Sequence, residues 1–499
     1  MAAVVEHTAF ERTLAGKGIA HDRGELRGYA SDASFLTLGV PSLVAFPKDE
    51  AECVALVDLA VKHGTPLVPR GTASSTAGQS VAPPDAVLVD MERVGACDRR
   101  GHRRDLFTPL VVDAKGDPVD LAKASPDDEL YLRAGAGRTS DEANRALRRF
   151  RWSVAVTPSS GYSTFGGNFA TNARGSGTPA YGAFGDAVRR VRMVASTEEG
   201  ARVVEVADPE EVRKLGGSHG LCGLITELDV RIAPILQPDE MLCAVLMIES
   251  PDVEALGAAI GGLMKRVAAS CAYYAGEFLF IDRGIVRPDD PVRKDPVLGP
   301  YFEVRPDARR MVLLYRGRKE GMAALPGIVA EFPQVSYREV TFPEFQTMMR
   351  VRTAATGKSI ARVNVPGCED FLLRDPALFG RVLVRLFDAL AGAEGRPVGH
   401  HYPDGVVVHY RPQARVTREA IEEAWALNLR LREAVLRPEL TVEDRVEHGL
   451  GLRLFLDAPE ARREELRRLK GAYDPANVFS PHLLDPPNVG EFVGHQFQV

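Results

Sequence analysis

Between residues 161 and 175 the chain crowds Gly161, Gly166, Gly167 and Gly175 among Ser163, Asn168, Thr171 and Asn172. A connection this long is usually functional or disordered. Tyr162, Phe165 and Phe169 punctuate it with apolar surface, which argues against disorder. Open backbone N–H groups and side-chain amides beside a strand suit one section of a dinucleotide. A tightly packed glycine corner is the bland alternative.

A second small-residue segment, residues 70–78, reads Arg-Gly-Thr-Ala-Ser-Ser-Thr-Ala-Gly and follows an apolar run at 65–69. Its backbone donors, with the hydroxyls of Thr72, Ser74, Ser75 and Thr76, can converge on an anion such as pyrophosphate. The flanking pattern predicts strands over 42–46, 65–69 and 86–90 and a helix over 50–63. Acids in the first turn and Gly64 after the last turn delimit that helix. Residues 97–128 read as a polar insertion, 157–175 as a long loop, and 188–195, 201–206 and 224–232 as further strands. Gly135 and Gly137, after a strand over 131–134 and before a helix from Ser140, imitate a dinucleotide fingerprint. The third glycine is missing and no acid ends the next strand, so NAD binding there is rejected.

Pro234 and Pro238 mark a domain boundary, beyond which strands over 241–248, 311–315 and 406–410 alternate with helices. Helices are expected over 253–268, 376–391, 418–436 and 458–473. The organisation expected is an N-terminal segment 1–37, a first domain 38–236, a second domain 237–435 and a C-terminal segment 436–499. A length of 499 residues, 45% hydrophobic and 26% charged, supports more than one core. The net charge of −6 argues against a nucleic-acid partner. Arg99, Arg100, His102, Arg103 and Arg104 form a local basic cluster, read as a solvated loop or as a docking patch for an acidic partner or membrane surface. Six cysteines without a C-x-x-C pair encode no zinc ribbon or ferredoxin-type cluster and suit a reducing cytosol. The first residues lack signal-peptide character and no run is long enough to span a bilayer, so a cytoplasmic chain with at most peripheral membrane contact is expected.

Taken in order, residues 41–47, 70–78, 89–90, 134–137, 157–160, 166–175, 181–182 and 216–226 resemble the FAD-binding domain of the vanillyl-alcohol-oxidase-like, FAD-linked oxidase family. The likeness is to the D-lactate/glycolate (D-2-hydroxyacid) dehydrogenase branch. It implies an α+β chain, with a two-part FAD-binding domain and a substrate domain built on a central antiparallel sheet. It implies pyrophosphate contacts from Arg70, Gly71, Thr72, Ala73, Ser74, Ser75 and Gly78. Flavin contacts would come from Pro158, Ser159, Gly161, Ser163, Gly166, Gly167, Asn168, Thr171, Asn172 and Gly175, with Gly223 and Ile225 nearby. Thr72 and Ala73 stand where the family often has glycines. The loop lacks the histidine that links flavin covalently in some relatives, so noncovalent FAD is expected.

The second half resembles the matching FAD-linked oxidase C-terminal domain. The resemblance implies that Arg350 and Arg352 hold a substrate carboxylate and that His448 is the base. It also implies a divalent metal, Zn or Mn, on His401, His409 and Glu447. The spacing from His401 to His409 is one residue longer than in the family, and one residue turns a strand side chain to the opposite face. The run His401-Tyr-Pro-Asp-Gly405 is also similar to the alkyl-glycerone-phosphate synthase branch, whose doubled histidine is Glu447-His448 here. The expected activity is oxidation of a CH–OH group of a small 2-hydroxyacid. The alternatives are an alkyl-transfer synthase or an FAD-binding subunit of an electron-transfer complex. The expected partners are the hydroxyacid, an iron–sulfur or membrane electron acceptor, and a second copy of the chain. His482, in the closing signature 473–482, is placed either against the flavin ring or on the surface.

Overall fold

The computed structural model describes residues 8–34, 36–96, 109–281, 291–303, 308–356, 362–364, 371–375, 395–415 and 451–485, with scattered positions between 378 and 430. The basic cluster at 99–104, the expected helices over 376–391 and 418–436, and the pair Glu447-His448 lie wholly or largely outside them.

The chain folds as two compact units. The first contains the described residues up to 175, residues 181–235 and residues 451–485; the second contains 176–180 and the described residues from 236 to 430.

In the first unit, strands Leu43–Ala45, Val87–Asp90 and Leu67–Arg70 pair in parallel, and His21–Asp22 adds an antiparallel edge. Parallel pairing needs a crossover, and helix Glu50–His63 supplies it. Asp49 caps that helix by accepting from Glu52 N, and Gly64 closes it in the left-handed region at φ 61°. Cys53, Leu56, Val57 and Ala60 are fully buried under it; each large aliphatic there contributes about 1.5–3 kcal/mol of burial. A second, antiparallel sheet runs Leu110–Asp113, Leu130–Gly135, Leu224–Pro234, Val188–Thr197 and Gly200–Val206. The segment read as an insertion therefore contributes a strand, Leu110–Asp113.

Gly135 and Gly137 are explained by packing. A β-carbon on Gly135 would stand 2.5 Å from Gly95 Cα, and one on Gly137 would stand 2.5 Å from Glu92 O. The helix Ser140–Leu147 that follows starts on a capping box of Thr139 and Glu142.

The second unit is built on an eight-stranded, fully antiparallel sheet in the order Val335–Glu339, Met241–Ser250, Arg309–Arg318, Ala275–Ile281, Gly395–Tyr402, Gly405–Arg415 and Arg362–Asn364, with Phe371–Leu373 also paired to Gly405–Arg415. Helix Val253–Ser270 covers one face through Leu256, Ile260, Leu263 and Val267. Helix Phe342–Thr356 packs on the other through Phe345, Met348 and Val351. No described helix is long and apolar enough to cross a membrane.

Among the described glycines, Gly451 makes the tightest backbone approach: its φ is +50° and a β-carbon would fall 1.8 Å from Ala77 O. Gly451→Ala is expected to lower stability by about 2–4 kcal/mol, from strain plus overlap. Gly327→Ala, in helix Leu325–Ala330 with nothing within 4 Å, should leave stability equal or slightly higher. Denaturant midpoints of the two variants check the contrast.

Candidate functional site

The two small-residue segments meet. A β-carbon on Gly71 would lie 2.3 Å from Thr164 Oγ1, so only glycine lets the loop at 70–78 touch the segment at 161–175. Part of that segment is a helix rather than a loop: Phe165–Ala170, capped by Thr164 accepting from Gly167 N. Its first turn is strapped to the neighbouring strand end by Phe165 N→Arg138 O at 2.8 Å and Gly166 N→Ala136 O at 2.9 Å. The sequence pattern hid this helix because two adjacent glycines interrupt any apolar periodicity. Gly161 and Gly175 are close-approach positions, 2.2 Å from Asp141 Oδ1 and 2.3 Å from Thr157 O for an added β-carbon.

The remaining expected cofactor residues divide by what their side chains already do. Arg70 sends Nη1 to Tyr29 O at 3.0 Å and lies over the Tyr29 ring, so its side chain ties down the N-terminal segment. Ala73 adopts φ +54°, the left-handed conformation that glycine favours, which keeps the loop's turn where the family often has glycines. Ser75 Oγ accepts from Ala77 N and Gln79 N, both at 3.3 Å, and organises the loop from within. Asn172 Oδ1 accepts from Gly185 N, Thr171 Oγ1 donates to Gly167 O, and Ser163 Oγ donates to Ser160 O. Ser74 and Pro158 are half-buried and Ser159 is exposed. Gly223 (φ +154°) and Ile225 lie at the head of strand Leu224–Pro234, and Gly217 N and His219 N donate to Phe169 O and Ala170 O. Among the expected cofactor residues, two polar atoms are buried with no hydrogen-bond partner: Thr72 Oγ1 and Asn168 Nδ2.

The C-terminal chain completes this framework. Leu67 N donates to Val478 O at 2.7 Å and Ser480 N to Leu67 O at 2.8 Å, adding a strand-like edge to the parallel sheet. Leu452 N donates to Ala77 O at 3.1 Å, directly on the small-residue loop. Lys470, buried, fixes the turn through Asp474 Oδ2 and Phe479 O, both at 2.6 Å. Beyond it, both ring nitrogens of His482 are buried, although the residue as a whole keeps partial exposure. Burial, reinforced by the Lys470 ammonium, pulls the His482 pKa down to about 4.

In the second unit, strand register decides which histidines can cooperate. Val398 pairs with His409, His400 with Val407, and His401 with Val406. Directly opposed residues share a face and neighbours in sequence do not. His401 and His409 therefore project to opposite faces, which corrects the expected metal set. Glu447 lies outside the described residues. Among the described residues no group of three or more His, Cys, Asp or Glu is arranged to hold a metal ion. His401 is instead a buried core group. Tyr315 Oη lies 2.8 Å from its Nδ1, Tyr273 stacks on it, and burial pulls its pKa to about 3.

His400 is the histidine that shares a face with His409; their ring centroids are 4.9 Å apart. Its Nδ1 is 2.8 Å from Glu277 Oε2, and it stacks on Tyr402. Glu277 pairs across strands with His400, and Arg316, two positions along from Glu277's partner Leu314, lies on the same face. Helix Phe342–Thr356, which carries Arg350 and Arg352, packs on this face. Arg350 is exposed. Pattern alone did not find Glu277, which sits singly within an apolar strand, or Arg316, which is one of four arginines in its strand.

Residues 41–102 and 119–204 match the family described as FAD binding domain. Those two stretches carry an FAD-binding domain. It is 25% identical over 225 residues to the mitochondrial D-lactate dehydrogenase [cytochrome] of Arabidopsis thaliana, a match covering 44% of this chain and only 35% of that protein. Among solved structures it is similar to an alkyldihydroxyacetonephosphate synthase, at TM-score 0.65 and 15% identity, covering 96% of this chain and 86% of that one. It is also similar to 6-hydroxy-D-nicotine oxidase from Arthrobacter nicotinovorans, at TM-score 0.62 and 16% identity, covering 92% and 96%. At these identities the structural likeness concerns the fold, which is the α+β FAD-binding architecture with an antiparallel second unit.

FAD suits the framework described above. The unpartnered Thr72 Oγ1 and Asn168 Nδ2 are donors in the two segments that the FAD-binding match spans, and both face a desolvation cost until a ligand satisfies them. Asn168→Ala is expected to raise the dissociation constant for FAD about tenfold, the worth of one hydrogen bond to a phosphate or flavin acceptor. Titration of the flavin-free chain with FAD, followed by flavin fluorescence, measures it.

The depressed His482 pKa predicts a pH effect. In the unfolded chain His titrates near ~6.5. The folded state binds the proton less readily, so His482's contribution is fully present above that value and is lost as pH falls towards about 4. Between pH 7 and 4, the unfolding free energy of His482→Asn should fall less steeply than that of the unmodified chain.

Proposed function

We propose that the protein oxidises a small 2-hydroxyacid of the D-lactate or glycolate type. FAD, when bound, supplies the two-electron acceptor for the hydride that leaves the substrate carbon. The chain's own residues must take the hydroxyl proton, polarise the hydroxyl oxygen and hold the carboxylate.

The observation that carries this reading is the polar centre of one sheet face in the second unit, where His400, His409, Glu277 and Arg316 lie together within an apolar surround. The Glu277 carboxylate beside His400 Nδ1 fixes the orientation of that ring, as a group placed to hydrogen-bond a substrate oxygen requires. His448 is assigned the proton-accepting role and Arg350 and Arg352 the carboxylate. The similarity to a D-lactate dehydrogenase supports the substrate class. An electron acceptor of iron–sulfur or membrane type and a homodimer belong to the same proposal.

Anaerobic mixing of the FAD-loaded protein with D-lactate, L-lactate and glycolate tests it. Loss of the flavin absorbance band is expected with at least one. An unchanged spectrum with all three contradicts hydroxyacid oxidation and favours alkyl-transfer chemistry, in which substrate causes no net flavin reduction. In the same assay His448→Ala should keep its FAD and its yellow colour while bleaching at least about a hundredfold more slowly, the usual contribution of a general base.

A further inference from the structure

We propose that Arg316 is an anion receptor of the second unit, gripping a substrate carboxylate alongside Arg350 and Arg352. The inference rests on the hydroxyacid reading and gives it a residue that family resemblance does not supply.

Arg316 lies in strand Arg309–Arg318, directly opposite Cys243 on one side and Ala275 on the other. Around it the face is aliphatic: Val245, Leu279, Val312, Leu314 and Val398 are buried there. A guanidinium in such surroundings is costly unless an anion meets it. Two other arginines of the same unit have their anions. Arg310 is matched by Glu249 and Arg266 by Glu331, each at 2.6 Å. Arg316 has no ion-pair partner among the described residues, and its Nε is buried with no hydrogen-bond partner. The acid nearest in register, Glu277, lies against His400.

What does hold the guanidinium orients it. Nη2 donates to Ser176 Oγ at 3.1 Å, and the group lies over the Phe342 ring, 5.7 Å from its centroid. Ser176 is itself held by its neighbour, since Gly177 N donates to Tyr274 O at 2.8 Å. In the chain, Ser176 follows Gly175, the last residue of the flavin-lining segment. A planar fork fixed at one nitrogen and unsatisfied at another is suited to a carboxylate, which accepts two parallel hydrogen bonds. Burial also pulls the Arg316 pKa below the ordinary arginine value. The same desolvation strengthens its attraction for an incoming anion. His400 and His409 share this face, so a carboxylate on Arg316 would hold a 2-hydroxyacid beside them.

The test uses the FAD-loaded full chain with Arg316→Met and Arg316→Lys. The lactate or glycolate concentration for half-maximal flavin bleaching should rise on the order of 100-fold in Arg316→Met, the worth of a hydrogen-bonded charge pair. Arg316→Lys should fall between, and added guanidinium ion should partly restore Arg316→Met. FAD content should not change. Half-saturation within twofold of the unmodified chain in Arg316→Met overturns the proposal.

If no hydroxyacid bleaches even the unmodified protein, the substrate reading fails by itself. Oxalate, a carboxylate that cannot donate hydride, then tests the receptor directly through its perturbation of the flavin spectrum. Loss of that response in Arg316→Met supports the receptor; an equal response, or none with the unmodified chain, overturns it. Should Arg316→Met fail to fold, Ser176→Ala replaces it. Loss of the orienting acceptor should weaken anion binding several-fold with FAD content intact, and unchanged binding counts against the proposal.

Discussion

The approach of Gly71 to Thr164 is the contact on which the first unit's chemistry depends. The two residues are far apart in sequence, and any β-carbon at Gly71 would collide with the threonine hydroxyl. Thr164 is also the cap of helix Phe165–Ala170, so the same side chain that meets the loop fixes the helix start. One β-α-β unit and one antiparallel sheet are thereby joined where the two small-residue segments meet. The C-terminal chain locks the seam from a third direction, with Leu452 on Ala77 and Val478–Ser480 on Leu67. Lys470 and Asp474 hold that last segment through a buried ion pair, so the terminal turn is part of the cofactor framework.

The second unit works by asymmetry between two faces of one sheet. On one, Tyr273 and Tyr315 enclose His401, and burial keeps that imidazole neutral. On the other, His400, His409, Glu277 and Arg316 leave a polar centre within aliphatic packing. A single residue of register separates the two environments. Adjacent histidines in sequence, His400 and His401, thus have unrelated roles, one structural and one available for chemistry.

Much of this was legible in the residues, for identifiable reasons. Asp49 and Gly64 delimit a helix by capping rules that act locally, and the glycines at 71, 161, 166 and 175 signal close approach wherever they fall. What could not be read depends on pairing across strands. Whether His401 or His400 accompanies His409 is a question of register, which no spacing within one chain segment answers. Arg316 looks like any other arginine of its strand, and only its surroundings show that its charge lacks a match among the described residues. Arg70 was read for its charge, yet its guanidinium turns to the Tyr29 carbonyl while neighbouring backbone forms the loop.

The central claim is that segments distant in sequence form one noncovalent FAD site. Acid precipitation of the purified protein, followed by chromatography of the supernatant, tests this most directly. About one FAD per chain, released wholly into the supernatant, is the result predicted for a single site without a covalent link. Flavin retained in the pellet, FMN in place of FAD, or a chain that neither contains nor takes up FAD would contradict the account.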